Sequence, residues 1–197
     1  DYVNVYDFDD TIYNGDTNKD LIKYSLKKYP ILVIKSLLKA RKLNKEYKKG
    51  LIAFERVKEE MLSFIFQIPN YPKFINSFVK SHMKNIKPWY LNRKTEYDVI
   101  LSASYELWIK LFARELGVKV VIATRTNSDG KIIGKNCKKE EKVNRLKEVF
   151  PDLDKIEAAY GDSSCDVPVL DIAKNAYVVE GNKLVTYKRG YKFKTDR

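Results

Sequence analysis

Three aspartates crowd the amino-terminal part of the chain. Asp7, Asp9 and Asp10 lie within the stretch VYDFDDTIYNGDT (residues 5–17), directly behind the apolar run VNVY. An apolar run of this kind is typical of a buried strand. Carboxylates packed against one another and against apolar surface are costly to keep ionised. The sequence therefore predicts that a compensating group lies at the end of this strand.

Short apolar runs that end in polar or small residues predict the strands of a mostly parallel sheet. The predicted strands are residues 2–8, 97–104, 118–124 and 156–161. The predicted helices of the same region are 105–116, 139–149 and 165–174, and the predicted hairpins are 126–136 and 177–187. Strand alternating with helix is typical of a three-layer α/β domain.

The stretch 17–95 breaks this alternation. It contains several amphipathic helical patterns, punctuated by proline and glycine. The predicted helices are 17–29, 31–49, 51–66 and 72–86. We therefore expect a discontinuous α/β core, residues 1–16 and 96–197, with an all-helical insert at 17–95.

The carboxyl ends of parallel strands meet at one edge of a sheet, where ligands bind. The predicted strands bring many polar residues to this edge, and the helix at 139–149 adds Lys142: Asp7, Asp9, Asp10, Thr11, Ser102, Ser104, Gly161, Asp162, Ser163 and Asp166. If Asp7, Asp9, Asp162 and Asp166 are ionised and Lys142 is the only cation, the site carries a charge of about −3. Repulsion of this size requires a hard divalent ion. Mg²⁺ fits best, because it accepts a few carboxylate oxygens, keeps waters and bridges to phosphate. Metal and lysine together could then neutralise a phosphoryl group.

Four motifs in chain order resemble those of the haloacid dehalogenase superfamily. They are DFDDT, the serine of VILSAS, the lysine of KEEKVNRL, and GDSSCDVPVL. The resemblance covers the whole α/β part and implies a Rossmann-like core. The helical insert after the first motif is similar to the cap of subfamily I, which includes phosphoserine phosphatase.

The resemblance implies a catalytic role for each matched residue. Asp7 would be the nucleophile that forms an aspartyl-phosphate. Asp9 would protonate the leaving oxygen and then deprotonate the attacking water. Thr11 would brace the loop, Ser102 would hydrogen-bond the phosphoryl oxygens, and Lys142 would screen the nucleophile and hold the phosphate.

The resemblance also implies a Mg²⁺ site. Asp162 would bind the ion together with Asp7 and the backbone carbonyl of Asp9, and Asp166 would complete the site or orient Lys142. Dehalogenases of the superfamily lack the second acid, and its cation-pumping ATPases carry threonine there. Asp9 therefore favours a Mg²⁺-dependent phosphatase, with a phosphotransferase or mutase as a weaker alternative.

Two residues, one directly before the insert and one within it, are candidates for substrate specificity. Phosphoserine phosphatases carry a glutamate nine positions after the nucleophile, and here that position is Asp16, a shorter acid that could instead cap the first helix of the insert. They also use a cap arginine for the substrate carboxylate, and Arg56 is the nearest candidate by context. A small phosphorylated metabolite such as phosphoserine is the expected substrate class.

The formal charge of +12 is concentrated in the insert. Residues 17–95 contain 19 Lys and Arg against 5 Asp and Glu, whereas the remainder is slightly acidic. This basic insert favours anionic substrates or surfaces. A lipid phosphate is the alternative substrate, peripheral membrane contact is an open possibility, and nucleic acid is disfavoured as a partner. A binding module for nucleic acid or membrane, with a vestigial site, is the competing class of function.

The remaining expectations concern location and single residues. No apolar run approaches the roughly 20 residues that a bilayer span needs, and we expect a cytoplasmic protein with Cys137 and Cys165 reduced. Asp10 is expected at a turn or in solvent. Ser104 is expected to cap the helix that begins at Tyr105.

Overall fold

A seven-stranded sheet forms the centre of the fold. The computed structural model describes residues 1–194. The strands are β1 (Val3–Tyr6), β2 (Val99–Tyr105), β3 (Val120–Thr126), β4 (Ile132–Ile133), β5 (Ile156–Gly161), β6 (Asn175–Glu180) and β7 (Lys183–Thr186). Their order across the sheet is β4-β3-β2-β1-β5-β6-β7. The five inner strands are parallel, and β4 and β7 pair antiparallel at the two edges. The predicted strands and both predicted hairpins are confirmed.

Eight α-helices accompany the sheet within the described residues. Five lie between β1 and β2: α1 (Thr17–Leu26), α2 (Pro30–Lys48), α3 (Phe54–Met61), α4 (Tyr71–His82) and α5 (Pro88–Leu91). The others are α6 (Glu106–Leu116), α7 (Glu140–Val149) and α8 (Val167–Leu170). The chain therefore has the predicted α/β core with an inserted helical cap, while the exact bounds of the cap stay a prediction. Among residues 1–194, no helix combines the length and the apolar character that a bilayer span requires.

Strand β1 lies in the middle of the sheet and supports both of its faces. Successive side chains of a strand point to opposite faces. Val5 accordingly belongs to a cluster with Leu101 and Ile122, whereas Tyr6 belongs to the other cluster and stacks on Tyr160 at 4.4 Å between ring centroids. Because β1 is central, its carboxyl end delivers Asp7 to the middle of the sheet edge.

The cap and the sheet share one apolar core. Phe78 of α4 is fully buried and lies 6.2 Å, between ring centroids, from Phe112 of α6. Phe112 in turn lies 5.1 Å from Phe8, which follows β1. The cap is therefore packed onto the α/β core by buried aromatic rings.

Four predicted helices are shorter than expected. Those predicted at 17–29 and 72–86 end at Leu26 and His82, and a 3₁₀ turn, Met83–Asn85, follows the second. The pattern at 51–66 forms α3 and a 3₁₀ segment, Ser63–Gln67. The pattern at 165–174 forms a 3₁₀ turn, Ser164–Asp166, followed by the four residues of α8. The helix ends early because the chain must return to the sheet, where the backbone N–H of Lys174 donates to the carbonyl of Ile156.

Replacing Phe112 by alanine tests the shared core. The substitution removes a fully buried ring and leaves a cavity between cap and sheet. Phe112→Ala should lower the free energy of unfolding by about 3–5 kcal/mol in urea titrations. Tyr97→Ala, at an exposed aromatic, should change it by less than about 0.5 kcal/mol. Equal losses of the free energy of unfolding in Phe112→Ala and Tyr97→Ala would show that the Phe112 ring does not join the cap to the sheet.

Candidate active site

The predicted acidic residues meet in one cavity at the carboxyl edge of the sheet. The cavity has a volume of about 410 Å³ and is closed on one side by the cap. Its core lining comprises Asp7, Asp9, Ala103, Ser104, Asn136, Lys138, Lys142, Asp162, Ser163, Cys165 and Asp166. Its cap lining comprises Asp16, Asn18, Lys19, Ile22, Phe54, Lys58 and Met61. The sheet supplies most of the charged groups, and the cap supplies a mixed wall of apolar and basic side chains.

Lys142 is the buried cation at the base of this cavity. Its Nζ donates to Asp7 Oδ1 and to Asp166 Oδ1, each at 2.7 Å. Burial opposes its charge, but the carboxylates of Asp166 and Asp7 outweigh burial and raise the pKa of Lys142. Lys142 is therefore a permanent positive charge beside Asp7.

Asp7, Asp162 and Asp166 form a carboxylate cluster. One oxygen from each lies within 4.8 Å of the others. Burial and the neighbouring Asp7 carboxylate raise the pKa of Asp162. Thr11 Oγ1 bridges two members, since it lies 3.1 Å from Asp162 Oδ1 and 3.3 Å from Asp7 Oδ2. One ammonium does not compensate the charge of three closely packed carboxylates, and this donor set of hard oxygens suits a divalent cation such as Mg²⁺.

Asp166 is already engaged on both oxygens. Its Oδ1 accepts from Lys142, and its Oδ2 accepts from the backbone N–H groups of Asp162 at 3.0 Å and Ser163 at 3.2 Å. These bonds favour orientation of Lys142 over metal binding, the second of the two roles expected for Asp166. The approach requires glycine at Gly161, because a Cβ there would lie 2.6 Å from Asp166 Oδ2.

Asp9 is held on the cap side of the cavity. Its Oδ1 accepts from the backbone N–H of Thr17 and its Oδ2 from Ser104 Oγ, both at 2.6 Å. Burial and the nearby Asp16 raise the pKa of Asp9 to about 6, although the two hydrogen bonds oppose the shift. A carboxyl group with this pKa can both give and take a proton near neutral pH.

Ser104 corrects a prediction. Strand β2 continues to Tyr105, which is the N-cap of α6 and makes no side-chain capping bond. The Ser104 hydroxyl instead points into the site, where it donates to Asp9 and accepts from Asn18 Nδ2 at 3.1 Å. Ser104 is therefore a site residue rather than a helix cap.

Ser102 and Asp10 fix the backbone near the site. Ser102 is buried, and its Oγ accepts from the backbone N–H of Ser104 at 3.1 Å. Its predicted bond to phosphoryl oxygens stays a prediction. Asp10 lies at the expected turn, with φ 58° and its Oδ1 accepting from the N–H of Gly15 at 3.1 Å.

The two specificity candidates lie in different places. Asp16 lines the cavity and also caps α1, because its Oδ1 accepts from the N–H of Asn18 at 2.9 Å. Arg56 lies on the exposed side of α3, 3.8 Å from Glu59 Oε1, and is not brought to the cavity. The residues that α3 presents to the cavity are Phe54, Lys58 and Met61, which share one helical face at spacings of four and three.

Lys58 is the cap residue that sequence reasoning missed. It is buried, and its Nζ donates to the carbonyl of Ala103 at 2.6 Å and to Asn136 Oδ1 at 2.7 Å. Burial lowers the pKa of Lys58 to about 8, against the opposing attraction of Asp9. An ammonium has three donors, so one remains for a ligand in the cavity. The signal available in the sequence was the spacing of Phe54, Lys58 and Met61.

Helix α3 is tied to the core by three side chains, which we call the cap clasp: Glu55, Lys58 and Glu59. Besides the bonds of Lys58, Glu55 Oε1 accepts from the N–H of Asn136 at 3.1 Å, and Glu59 Oε2 accepts from the N–H of Ile132 at 3.0 Å. The cap clasp therefore attaches α3 to β2, to β4 and to Asn136, which follows β4.

The family follows from the sequence over most of the described fold. The family model for haloacid dehalogenase-like hydrolases matches residues 5–171, a span that includes every residue of the cavity. The chain belongs to this family. The resemblance of the four motifs is thereby confirmed.

A curated relative matches only part of the chain. Protein CicA of Caulobacter vibrioides is 48% identical over 82 residues, which cover 38% of this chain and 36% of CicA. The match thus spans about a third of that relative's own length.

Solved structures with similar folds cover most of the chain. A protein of unknown function from Bordetella pertussis has a TM-score of 0.68 at 18% identity, over 88% of this chain and 87% of its own. A phosphoserine phosphohydrolase-like protein from Francisella tularensis has a TM-score of 0.55 at 19% identity, over 89% of this chain and 85% of its own. A phosphoserine phosphatase, solved as a phospho-aspartyl intermediate analogue, has a TM-score of 0.51 at 19% identity, over 89% of this chain and 84% of its own. At these identities the likeness shows the fold.

Asp162→Asn tests the repulsion within the carboxylate cluster. Because the folded-state pKa of Asp162 is raised, its charge destabilises the folded protein at neutral pH when no metal is bound. The amide removes that charge and keeps an oxygen to accept from Thr11. The variant should melt a few degrees higher than the parent in chelator, since 1 kcal/mol corresponds to about 2–4 °C in a chain of this size. A lower melting temperature in chelator would contradict the repulsion.

Proposed function

We propose that the protein is a Mg²⁺-dependent phosphomonoester hydrolase that works through an aspartyl-phosphate on Asp7. The observation that carries the proposal is the pairing of Asp7 with the Lys142 ammonium at 2.7 Å, with Asp9 held in the same cavity. The pair offers a nucleophilic carboxylate beside a fixed cation, and Asp9 offers a proton. Membership of a hydrolase family supports this chemistry.

In the first step, an oxygen of Asp7 attacks the phosphorus and the ester P–O bond breaks. The departing alkoxide takes the proton of Asp9, whose pKa of about 6 leaves a useful fraction protonated near neutral pH. Lys142 stabilises the negative charge that develops on the phosphoryl oxygens. The leaving alcohol and an aspartyl-phosphate on Asp7 result.

In the second step, water attacks the phosphorus of the aspartyl-phosphate. Asp9, now ionised, takes the proton of that water, and the bond between phosphorus and Asp7 breaks. Inorganic phosphate leaves, and Asp7 and protonated Asp9 are restored.

The residues that would hold Mg²⁺ are Asp7 and Asp162, together with the predicted backbone carbonyl of Asp9. Their hard oxygen donors and uncompensated charge fit such an ion. When bound, Mg²⁺ neutralises the carboxylate cluster and polarises the phosphoryl group. Asp166 would act through Lys142, because both of its oxygens are engaged by protein donors.

The leaving-group side of the cavity supports a small anionic or zwitterionic metabolite as substrate. Lys58, Lys19 and Asp16 line this side. The two lysines would contact an anionic group of the substrate, and Asp16 would contact a cationic one. A phosphoserine-like molecule has both charges. The apolar side chains of Ile22, Phe54 and Met61 favour a lipid phosphate as the second candidate. A cytoplasmic location stays our prediction; Cys137 and Cys165 are both buried.

Asp7→Asn tests the nucleophile. The amide retains the size of the side chain but cannot form the acyl-phosphate, so release of phosphate from p-nitrophenyl phosphate with Mg²⁺ should fall by about 10³-fold or more. Asp10→Asn is the matched control, since it alters a neighbouring aspartate at a left-handed position that asparagine tolerates. It should retain parental turnover. Parental turnover in Asp7→Asn would refute the mechanism and favour a non-catalytic binding module.

Mg²⁺ should raise the melting temperature of the parent protein, because the ion binds the folded carboxylate cluster in preference to the unfolded chain. At about 100 times its dissociation constant, the ion would contribute about 2.7 kcal/mol. Asp162→Asn should lose most of this shift in thermal melts, while Asp10→Asn should keep it. An unchanged melting temperature of the parent at millimolar Mg²⁺ would count against the metal site.

Lys58 predicts a pH-dependent KM for substrates with an anionic leaving group. Because its pKa is lowered to about 8, Lys58 loses its charge above that pH, and KM for phosphoserine should rise between about pH 7 and 9. Lys58→Arg remains charged and should lack this rise. Lys58→Met should raise KM for phosphoserine by about tenfold, with a smaller effect on p-nitrophenyl phosphate. The same rise of KM with pH in Lys58→Arg would assign the titration to another group.

A further inference from the structure

The solvent-facing side of α2 exposes three large aliphatic side chains. Ile31 is 68% exposed, Ile34 49% and Leu38 62%. Their spacing of three and four places them on one stripe of the helix. The opposite face of α2 is buried in the cap through Val33, Ser36 and Ala40. The exposed stripe is therefore not needed for packing of the cap.

Basic residues predominate in the sequence around this stripe. Residues 21–45 contain eight Lys and Arg and no Asp or Glu. On α2 itself the exposed basic residues are Lys35, Lys39, Arg41, Lys42, Lys45 and Lys48. Lys39 reaches Glu60 of the neighbouring segment at 3.9 Å. Glu46 is the one acidic residue of α2. The outer face of α2 thus combines apolar side chains with a large excess of positive charge.

We propose that this face of α2, with Ile31, Ile34 and Leu38 as its apolar stripe, docks onto the surface of an anionic phospholipid bilayer. An interfacial helix places its aliphatic side chains at the boundary between headgroups and acyl chains, while flanking Lys and Arg contact anionic headgroups. The helix lies on the membrane and does not cross it. The positive charge of the cap supplies the complementarity.

Two other occupants fit this face less well. Nucleic acid would use the cations but leaves the three aliphatic side chains without a partner, because bases stack on aromatic rings. The aromatic rings Phe64 and Phe78 of the cap are fully buried. A second copy of the chain would bring two equally basic faces together, and their repulsion disfavours that contact.

Vesicle co-sedimentation of the full chain tests the proposal directly. Vesicles of phosphatidylcholine with about one quarter phosphatidylglycerol should sediment the protein, while pure phosphatidylcholine vesicles should not. The bound fraction should fall as salt rises to about 0.5 M. No binding to the anionic vesicles at low salt would overturn the proposal.

Removing the apolar stripe separates the membrane from other anionic partners. The triple variant Ile31→Ser, Ile34→Ser, Leu38→Ser should bind anionic vesicles about tenfold or more weakly. Its control is Leu91→Ser with Val149→Ser, which changes exposed aliphatic residues elsewhere, and should bind as the parent does. All of these positions are exposed, so melting temperatures should stay near that of the parent. Parental binding by the triple variant would show simple attraction of a basic surface and would overturn the docking mode.

The basic residues of α2 can be tested against an equal number of lysines elsewhere on the protein. Lys35→Gln with Lys42→Gln and Lys45→Gln should weaken binding to anionic vesicles by about tenfold or more. Lys147→Gln with Lys155→Gln and Lys183→Gln removes the same charge from the α/β core and should have little effect. Equal losses in the two sets would mean that net charge alone governs binding, contrary to a docking face on α2. Duplex DNA that displaces vesicles from the parent, and binds the Ile31, Ile34 and Leu38 variant equally well, would also overturn the proposal in favour of nucleic acid.

Discussion

Lys142 lies buried between the carboxylates of Asp7 and Asp166, 2.7 Å from each, and the geometry of the site depends on this contact. The three residues come from distant parts of the chain: Asp7 follows β1, Lys142 lies on α7, and Asp166 follows β5. The contact forms only if the parallel order of the sheet brings these elements to one edge. Gly161 allows Asp166 to approach, and backbone N–H groups of Asp162 and Ser163 fix its second oxygen. A buried ion pair of this kind is weak evidence for stability, but it fixes the position of charge.

The cavity has two chemically different sides, one formed by the α/β core and the other by the cap. The sheet side has the carboxylates and Lys142, groups suited to a phosphoryl group whatever it is attached to. The cap side has Lys58, Asp16 and an apolar wall, groups suited to the rest of a substrate. Asp9 lies at the boundary, since it accepts from Thr17 of the cap and from Ser104 of the core. Cap position and the environment of the proton donor are therefore physically coupled.

The sheet could be predicted from sequence because each strand is a short apolar run and each hairpin has a glycine at its turn. The acidic residues at the strand ends could also be predicted, because topology brings those ends together whatever the details of packing. The role of Ser104 could not be predicted, because it depends on the residue at which β2 ends. A shift of that end by one residue decides whether Ser104 caps α6 or faces Asp9. Lys58 was missed for a similar reason: α3 is rotated so that Phe54, Lys58 and Met61 face the cavity and Arg56 faces solvent. The spacing of Phe54, Lys58 and Met61 indicates that they share a face of the helix, but which face meets the cavity depends on tertiary contacts.

The most direct test of the central claim is to look for phosphate on Asp7 itself. The parent protein would be mixed with Mg²⁺ and a phosphomonoester, quenched in acid during turnover, and digested for tandem mass spectrometry. Asp9→Asn would serve as a trapping variant with p-nitrophenyl phosphate, because p-nitrophenolate leaves without a proton from Asp9 while the attacking water still needs a base. The account predicts a phosphoryl group on the peptide that contains Asp7, absent from Asp7→Asn. Release of phosphate with the phosphoryl group on another residue, or with no adduct in either protein, would contradict it.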